Sequence, residues 1–194
     1  MREPSRASSG YVGRDTLEES RSWLVLRAQT GDREAMDLLL RDIEHEALRY
    51  ITRLMGQSAD REDVLQDVLM TIVRKLSQLR DPLLFRPWVY RIASRECFRA
   101  LKAIREWDAL IADDFDPDSS HGVANPDEEV LDSVDAATMV NTISLSSRTV
   151  IVLHYFEGLS QREIAETLSL SIGTVKSRIA YGLTQLRAQL TERG

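Results

Sequence analysis

Residues 107–147 carry ten carboxylates and not one lysine or arginine. No other feature limits the fold so strongly. The first half of this stretch holds an Asp run with Pro117, Ser119, Ser120, Gly122, Asn125 and Pro126. Such a composition buries too little apolar surface to order itself. It divides the 194 residues into two pieces, and each must close a core of its own.

Both pieces read as helix. After Gly31 and Asp32, the apolar residues Ala35, Leu38, Leu39, Ile43, Leu48, Ile51, Leu54 and Met55 recur at close to 3.6 residues. Gly56, Gln57 and Ser58 break the pattern. Val64, Leu65, Val68, Leu69, Ile72, Val73 and Leu76 share one side of a second helix over 60–79. That helix must stop at Asp81-Pro82, because a residue before proline avoids helical angles. Pro87 suits the first turn of a third helix, reaching about Glu106. An earlier helix begins near Ser22 or Trp23, a further one runs from Pro126 towards Ile143, and three cover about 146–157, 160–168 and 172–191. No strand pair or internal repeat is evident. The expected fold is all-α, with two small helical domains on a flexible acidic linker. Its units are a flexible tail over 1–20, a domain over 21–106, the linker over 107–129 and a domain over 130–194.

Several functions are excluded early. One cysteine, Cys97, allows no internal disulfide, and it reads as a small core residue. Three scattered histidines, His45, His121 and His154, make no metal cluster, so no metal or other cofactor is expected. His154 falls on an apolar helix pattern and reads as a core residue. No catalytic triad is evident, so an enzyme is the weakest reading. The opening residues lack the apolar run of a signal peptide. No run approaches the roughly 18 apolar residues of a membrane span. A cytoplasmic, reducing setting without membrane insertion is expected.

The net charge of −6 hides an uneven distribution. Without the acidic stretch the remainder carries +4, and residues 74–105 alone hold nine basic side chains against Asp81 and Glu96. That density suits phosphates, although a solvated helix face would also produce it. Within it, Arg91, Arg95, Arg99 and Lys102 form one stripe at three- or four-residue spacing. Phe85, Trp88 and Tyr90 lie at its start, where aromatic rings next to cations suit stacking of unpaired bases. Packing of Trp88 on Ile92 is the plainer alternative. On the preceding helix Asp63, Gln66 and Asp67 make an acidic edge, which points to a second partner, a protein.

Residues 160–178, SQREIAETLSLSIGTVKSR, have the form of a helix-turn-helix. Ser160 and Glu163 make a capping box. Ile164, Ala165 and Leu168 supply the buried face, Ser169-Leu170-Ser171 the turn, and Leu170 and Val175 the plug between helices. Thr174, Lys176, Ser177 and Arg178 then open the second helix, the position that meets base edges and phosphates in this geometry. An ordinary helical hairpin remains the alternative.

The motifs resemble those of a known family. EDVLQDV and FRPWVYRIAS are similar to region 2 of bacterial sigma factors of the extracytoplasmic-function group. LSSRTVIVLHYFEGLSQREIAETLSLSIGTVKSRIAYGLTQLR is similar to their region 4, whose landmarks EGLS, EIA and GTVKSR it carries. The order also matches, with no region 3 between. The resemblance covers about 25–102 and 130–190.

It implies a dissociable, non-catalytic subunit of RNA polymerase that finds and opens promoters of a stress- or signal-responsive regulon. Asp63, Val64, Gln66, Asp67 and Met70 then fall where the family docks on the clamp helices of the largest polymerase subunit. Leu79, Arg80, Phe85, Arg86, Trp88, Arg91, Arg95, Phe98, Arg99 and Lys102 fall at the minus-ten element of promoter DNA. Arg162, Thr174, Lys176, Ser177, Arg178, Ala180 and Tyr181 fall at the minus-35 element, with region 4 also resting on the polymerase flap. The linker is expected to follow the RNA path, unless it is a plain tether. An anti-sigma factor is an expected partner. Arg95 stands where the family often has Asn. Ala180 and Tyr181 stand where it often has an aromatic residue or His, and Arg. Tyr lacks the bidentate fork by which Arg reads guanine. Ser169 replaces a common Gly, and Ile172 a frequent Glu. A helix-turn-helix regulator acting without polymerase would explain the C-terminal part but leave residues 60–102 idle. A sigma-like decoy would need a receiver domain for which no length remains.

Overall fold

The computed structural model describes residues 9–101 and 140–193. Seven helices occur among them: α1 (Ser9–Gln29), α2 (Arg33–Met55), α3 (Arg61–Lys75), α4 (Phe85–Ala100), α5 (Leu145–Ile151), α6 (Gln161–Leu168) and α7 (Ile172–Arg193). None of the described residues forms a strand, as the helical periodicity requires.

The first half packs α1, α3 and α4 around α2. Ala35, Leu39, Ile43, Ala47, Tyr50, Ile51 and Leu54 of α2 are fully buried, at steps of three and four residues. Gly31, at φ 93°, turns the chain between α1 and α2. Asp32 then caps α2, accepting from the Ala35 amide at 3.1 Å. Two polar clusters sit inside. The Tyr50 hydroxyl lies 2.6 Å from Ser94 Oγ, which in turn donates to the Tyr90 carbonyl. Buried Arg21 pairs with Asp42 and Glu46, and Glu46 also accepts from Arg86 at 2.7 Å. Burial works against the Glu46 carboxylate, but Arg21 and Arg86 outweigh it and hold its pKa below the usual range.

The second half packs α5 and α6 on α7. One wider turn, Val152–Phe156, prolongs α5. The expected capping box closes α6: Ser160 N–H donates to Glu163 Oε2 at 2.7 Å, and Glu163 N–H to Ser160 Oγ at 3.2 Å. Ser169 ends α6 at φ 59°, the left-handed conformation that favours glycine. Gly182 lets α7 cross α5 closely, since a Cβ there would fall 2.5 Å from Ile151 Cδ1.

One expectation needs correction. α1 starts at Ser9, not near Ser22, so 9–20 are helical instead of forming a tail. Nothing between Gly13 and Ser22 breaks a helix, and the weak apolar pattern there concealed it. The two halves also pack on each other, through α4 with α6 and α2 with α5. α4 is described only to Ala100, and its expected extension to Glu106 lies outside the described residues. So do Lys102, the linker over 107–129 and the helix expected after Pro126, of which only the turn Val140–Thr142 is described. Cys97 is fully buried, as expected. His154 is partly buried, with Nδ1 2.7 Å from the Leu159 carbonyl.

Candidate nucleic-acid interface

α3 and α4 lie side by side, and the groove between them is a cleft of about 680 Å³. Lys75, Arg91, Arg95 and Arg99 bring four positive charges to it, and Glu96 one negative charge. Arg91, Arg95 and Arg99 are exposed because they recur every fourth residue on the face of α4 opposite Val89, Ala93 and Cys97. Trp88 is partly buried. It lines the cleft and also packs against the core. Phe85 lies behind it, with ring centroids 6.2 Å apart. A concave, cationic groove with an aromatic wall suits a single strand, whose phosphates meet guanidinium groups while a base rests on the ring.

Not all expected strand contacts face outward. Phe85 and Phe98 are about 1% exposed and belong to the core; only Phe98 reaches the cleft floor. Leu79 is also buried, and its carbonyl accepts from Gln29 Nε2 at 2.7 Å. Arg80 is exposed. Arg86 is mostly covered and committed to carboxylates. Leu83 and Leu84, by contrast, project into solvent at 59% and 49% exposure. They belong to the loop Leu79–Arg86, which the family resemblance assigns to capture of an unpaired base.

On the outer edge of α3, Asp63, Gln66, Asp67 and Met70 are exposed together, as a protein-docking edge requires. Val64 is a correction. It is 4% exposed, one residue out of phase with that edge, and it packs inward. Asp67 accepts from Arg99 at 2.8 Å, so one ion pair joins the docking edge to the cleft. Both partners are more than half exposed, and the pair itself adds little stability.

The second candidate surface lies on α6 and α7. Lys176 and Tyr181 are exposed, while Ser177, Arg178 and Ala180 are partly covered. Thr174 is 5% exposed, and its hydroxyl lies 2.8 Å from Ser171 Oγ. It therefore holds the start of α7 and does not project. Arg162 is exposed and pairs with Glu166 at 3.2 Å. Ser177, Arg178 and Tyr181 border a hollow of about 250 Å³ whose far side is formed by Ser144, Ser146 and Ser147. Of these serines Ser144 is exposed, Ser146 partly covered and Ser147 buried, and none was expected to border this surface. They become legible only once α5 is seen to start against α7. No described group of residues has the donors to hold a metal ion, and no described helix is long and apolar enough to cross a membrane.

Comparison with known proteins follows the same division. A family model of Sigma-70 region 2 matches residues 39–107, and one of Sigma-70, region 4 matches 142–188. The RNA polymerase sigma-H factor of Pseudomonas aeruginosa is 33% identical over 84% of this chain and 89% of its own. The ECF RNA polymerase sigma-E factor of Escherichia coli K12 is 32% identical over 80% and 86%. Among solved structures, CnrH in complex with the cytosolic domain of CnrY superposes with a TM-score of 0.64, at 26% identity over 90% of this chain and 99% of that one. The sigma factor RpoE of Bartonella quintana, in complex with the anti-sigma factor NepR, shares the fold at a TM-score of 0.59 and 22% identity, over 80% of this chain and 96% of that one.

Proposed function

The chain belongs to the RNA polymerase sigma factors of the extracytoplasmic-function group, and on that premise we propose how its surfaces divide the work. As a sigma factor it directs core polymerase to promoters and initiates transcription there. The exposed edge of Asp63, Gln66, Asp67 and Met70 docks on the clamp helices of the largest core subunit. The cleft of Lys75, Trp88, Arg91, Arg95 and Arg99 receives the non-template strand at the minus-ten element. Lys176, Ser177, Arg178, Ala180 and Tyr181 meet the minus-35 duplex, with Arg162 on a flanking phosphate. The protein selects and opens DNA and performs no covalent chemistry. A dedicated anti-sigma protein holds it until a stress or other signal arrives; the similar sigma factor RpoE of Bartonella quintana forms a complex with the anti-sigma factor NepR.

The carrying observation is the cationic, tryptophan-walled cleft next to an exposed acidic edge on the same pair of helices. One face suits phosphate and the other suits a basic protein surface. The experiment is gel filtration with purified core polymerase. Wild type co-elutes, and Asp63→Arg with Asp67→Arg does not, while its circular dichroism stays unchanged. Co-elution of the double variant would remove the docking edge from the reading.

A further inference from the structure

One buried carboxylate crosses the contact between the halves. Glu157, from the turn that follows α5, is about 2% exposed. Its Oε1 accepts from Arg53 Nη1 at 3.0 Å. Its Oε2 accepts from the Tyr90 hydroxyl at 2.6 Å and lies 3.5 Å from Arg86 Nη2. The Phe156 ring stacks under the Arg53 guanidinium at 4.8 Å. Arg53, Arg86 and Tyr90 all belong to the first half, and Glu157 and Phe156 to the second. Arg86 has a further partner in Glu46.

This arrangement cannot persist on a promoter. A compact chain of 194 residues has a radius of gyration of about 16 Å, and so spans roughly 40 Å. Elements 25 base pairs apart lie about 85 Å apart at 3.4 Å per pair. This step rests on the sigma-factor reading. The halves must part for both elements to be engaged, and Glu157 then leaves its site.

Arg53 then loses its carboxylate partner, while Arg86 keeps Glu46 and loses only its second one. We propose that Arg53, Arg86 and Tyr90 form an oxyanion socket that takes a backbone phosphate of the promoter strand once Glu157 withdraws, so that the closed chain and DNA compete for one site. A phosphodiester offers the same pair of oxygens as a carboxylate, and guanidinium forks bind both. At neutral pH the Tyr90 phenol is protonated and remains a donor. Arg86 and Tyr90, four residues apart, share one face of α4, so the socket lies on the same helix as the cationic cleft but around its axis from Arg91. Neither Arg53 nor Tyr90 belongs to the minus-ten set that the family resemblance supplies.

The test uses the full-length protein and a fluorescein-labelled single-stranded 20-mer, read by anisotropy across a salt series. Glu157→Gln removes the competing charge and should tighten binding about tenfold or more, equivalent to about 1.4 kcal/mol. Adding Arg53→Ala to Glu157→Gln should reverse most of that gain and lower the log–log salt slope by about 0.7, one single-strand phosphate contact. Phe156→Ala removes the platform under Arg53 without touching a charge. It should also tighten binding, and it serves if Glu157→Gln does not fold. No gain in either folded variant, or an unchanged slope on loss of Arg53, would overturn the proposal. So would loss of polyglutamate binding without loss of DNA binding in the Arg53 variant, which would assign the socket to an acidic protein. A stable complex of wild type with core polymerase tests the sigma reading separately; with that complex intact and the Glu157→Gln gain absent, the socket alone is refuted.

Discussion

Arg148 gives the sharpest test of how the halves are joined. It lies on α5, and its guanidinium donates to the Leu54 carbonyl near the end of α2. It also donates to Asn141 Oδ1 at 3.1 Å, to the Asn141 carbonyl at 2.6 Å and to the Ile143 carbonyl at 3.0 Å. The last carbonyls of a helix have no partner within it, and a cation there is doubly favourable. Each charge-assisted bond contributes about 1.5–3 kcal/mol, but bonds that share one group do not add. Arg148→Met keeps the aliphatic stem and leaves three carbonyls without this donor. We expect a loss of about 3–4 kcal/mol, a large part of the 5–15 kcal/mol that usually stabilises a protein. With a urea slope of about 2 kcal/mol/M, the midpoint should fall by about 1.5–2 M. Arg148→Lys should recover less than half, because one ammonium group cannot reach acceptors in several directions. The assay is urea unfolding followed by circular dichroism. A midpoint shift under about 0.5 M for the Met variant would refute the reasoning.

Other substitutions report on local points. Ser169→Gly should raise stability by about 0.5–1 kcal/mol, because Ser169 sits at φ 59°, and a lower thermal midpoint would show that its hydroxyl matters more. Gly182→Ala should destabilise measurably, since its Cβ would displace Ile151, and an unchanged urea midpoint would show that the α5–α7 crossing can relax. Lys176→Ala should weaken duplex binding equally for all sequences and lower the salt slope by about 0.9, whereas a sequence-dependent loss would make it a base contact. Cys97 should resist thiol reagents in the native protein, because burial and then Glu96 push its pKa far up, and labelling at the rate of free cysteine would contradict its burial.

Much of the fold was legible because helix leaves a periodic trace. The core of α2 and the capping box of α6 follow from local rules acting over three or four residues, whereas α3 ends at Lys75, short of the stop expected at Asp81-Pro82. What escaped was non-local or out of phase. Glu157 is part of a family landmark in the sequence, yet nothing local says that it enters a site made by Arg53, Arg86 and Tyr90. Its nearest partner in the chain is 67 residues away. Val64 was placed on the docking edge by its neighbours in sequence, where one step of 100° turns it inward. The N-terminal part of α1 was missed because its polar residues show little amphipathic signal.

The most direct test of the central claim is transcription in a purified system. Core RNA polymerase and this protein are combined on a library of genomic fragments, and RNA start sites are mapped. A sigma factor yields specific starts that share elements near minus ten and minus 35. No specific starts, together with tight binding of the protein alone to duplex DNA, would contradict that function.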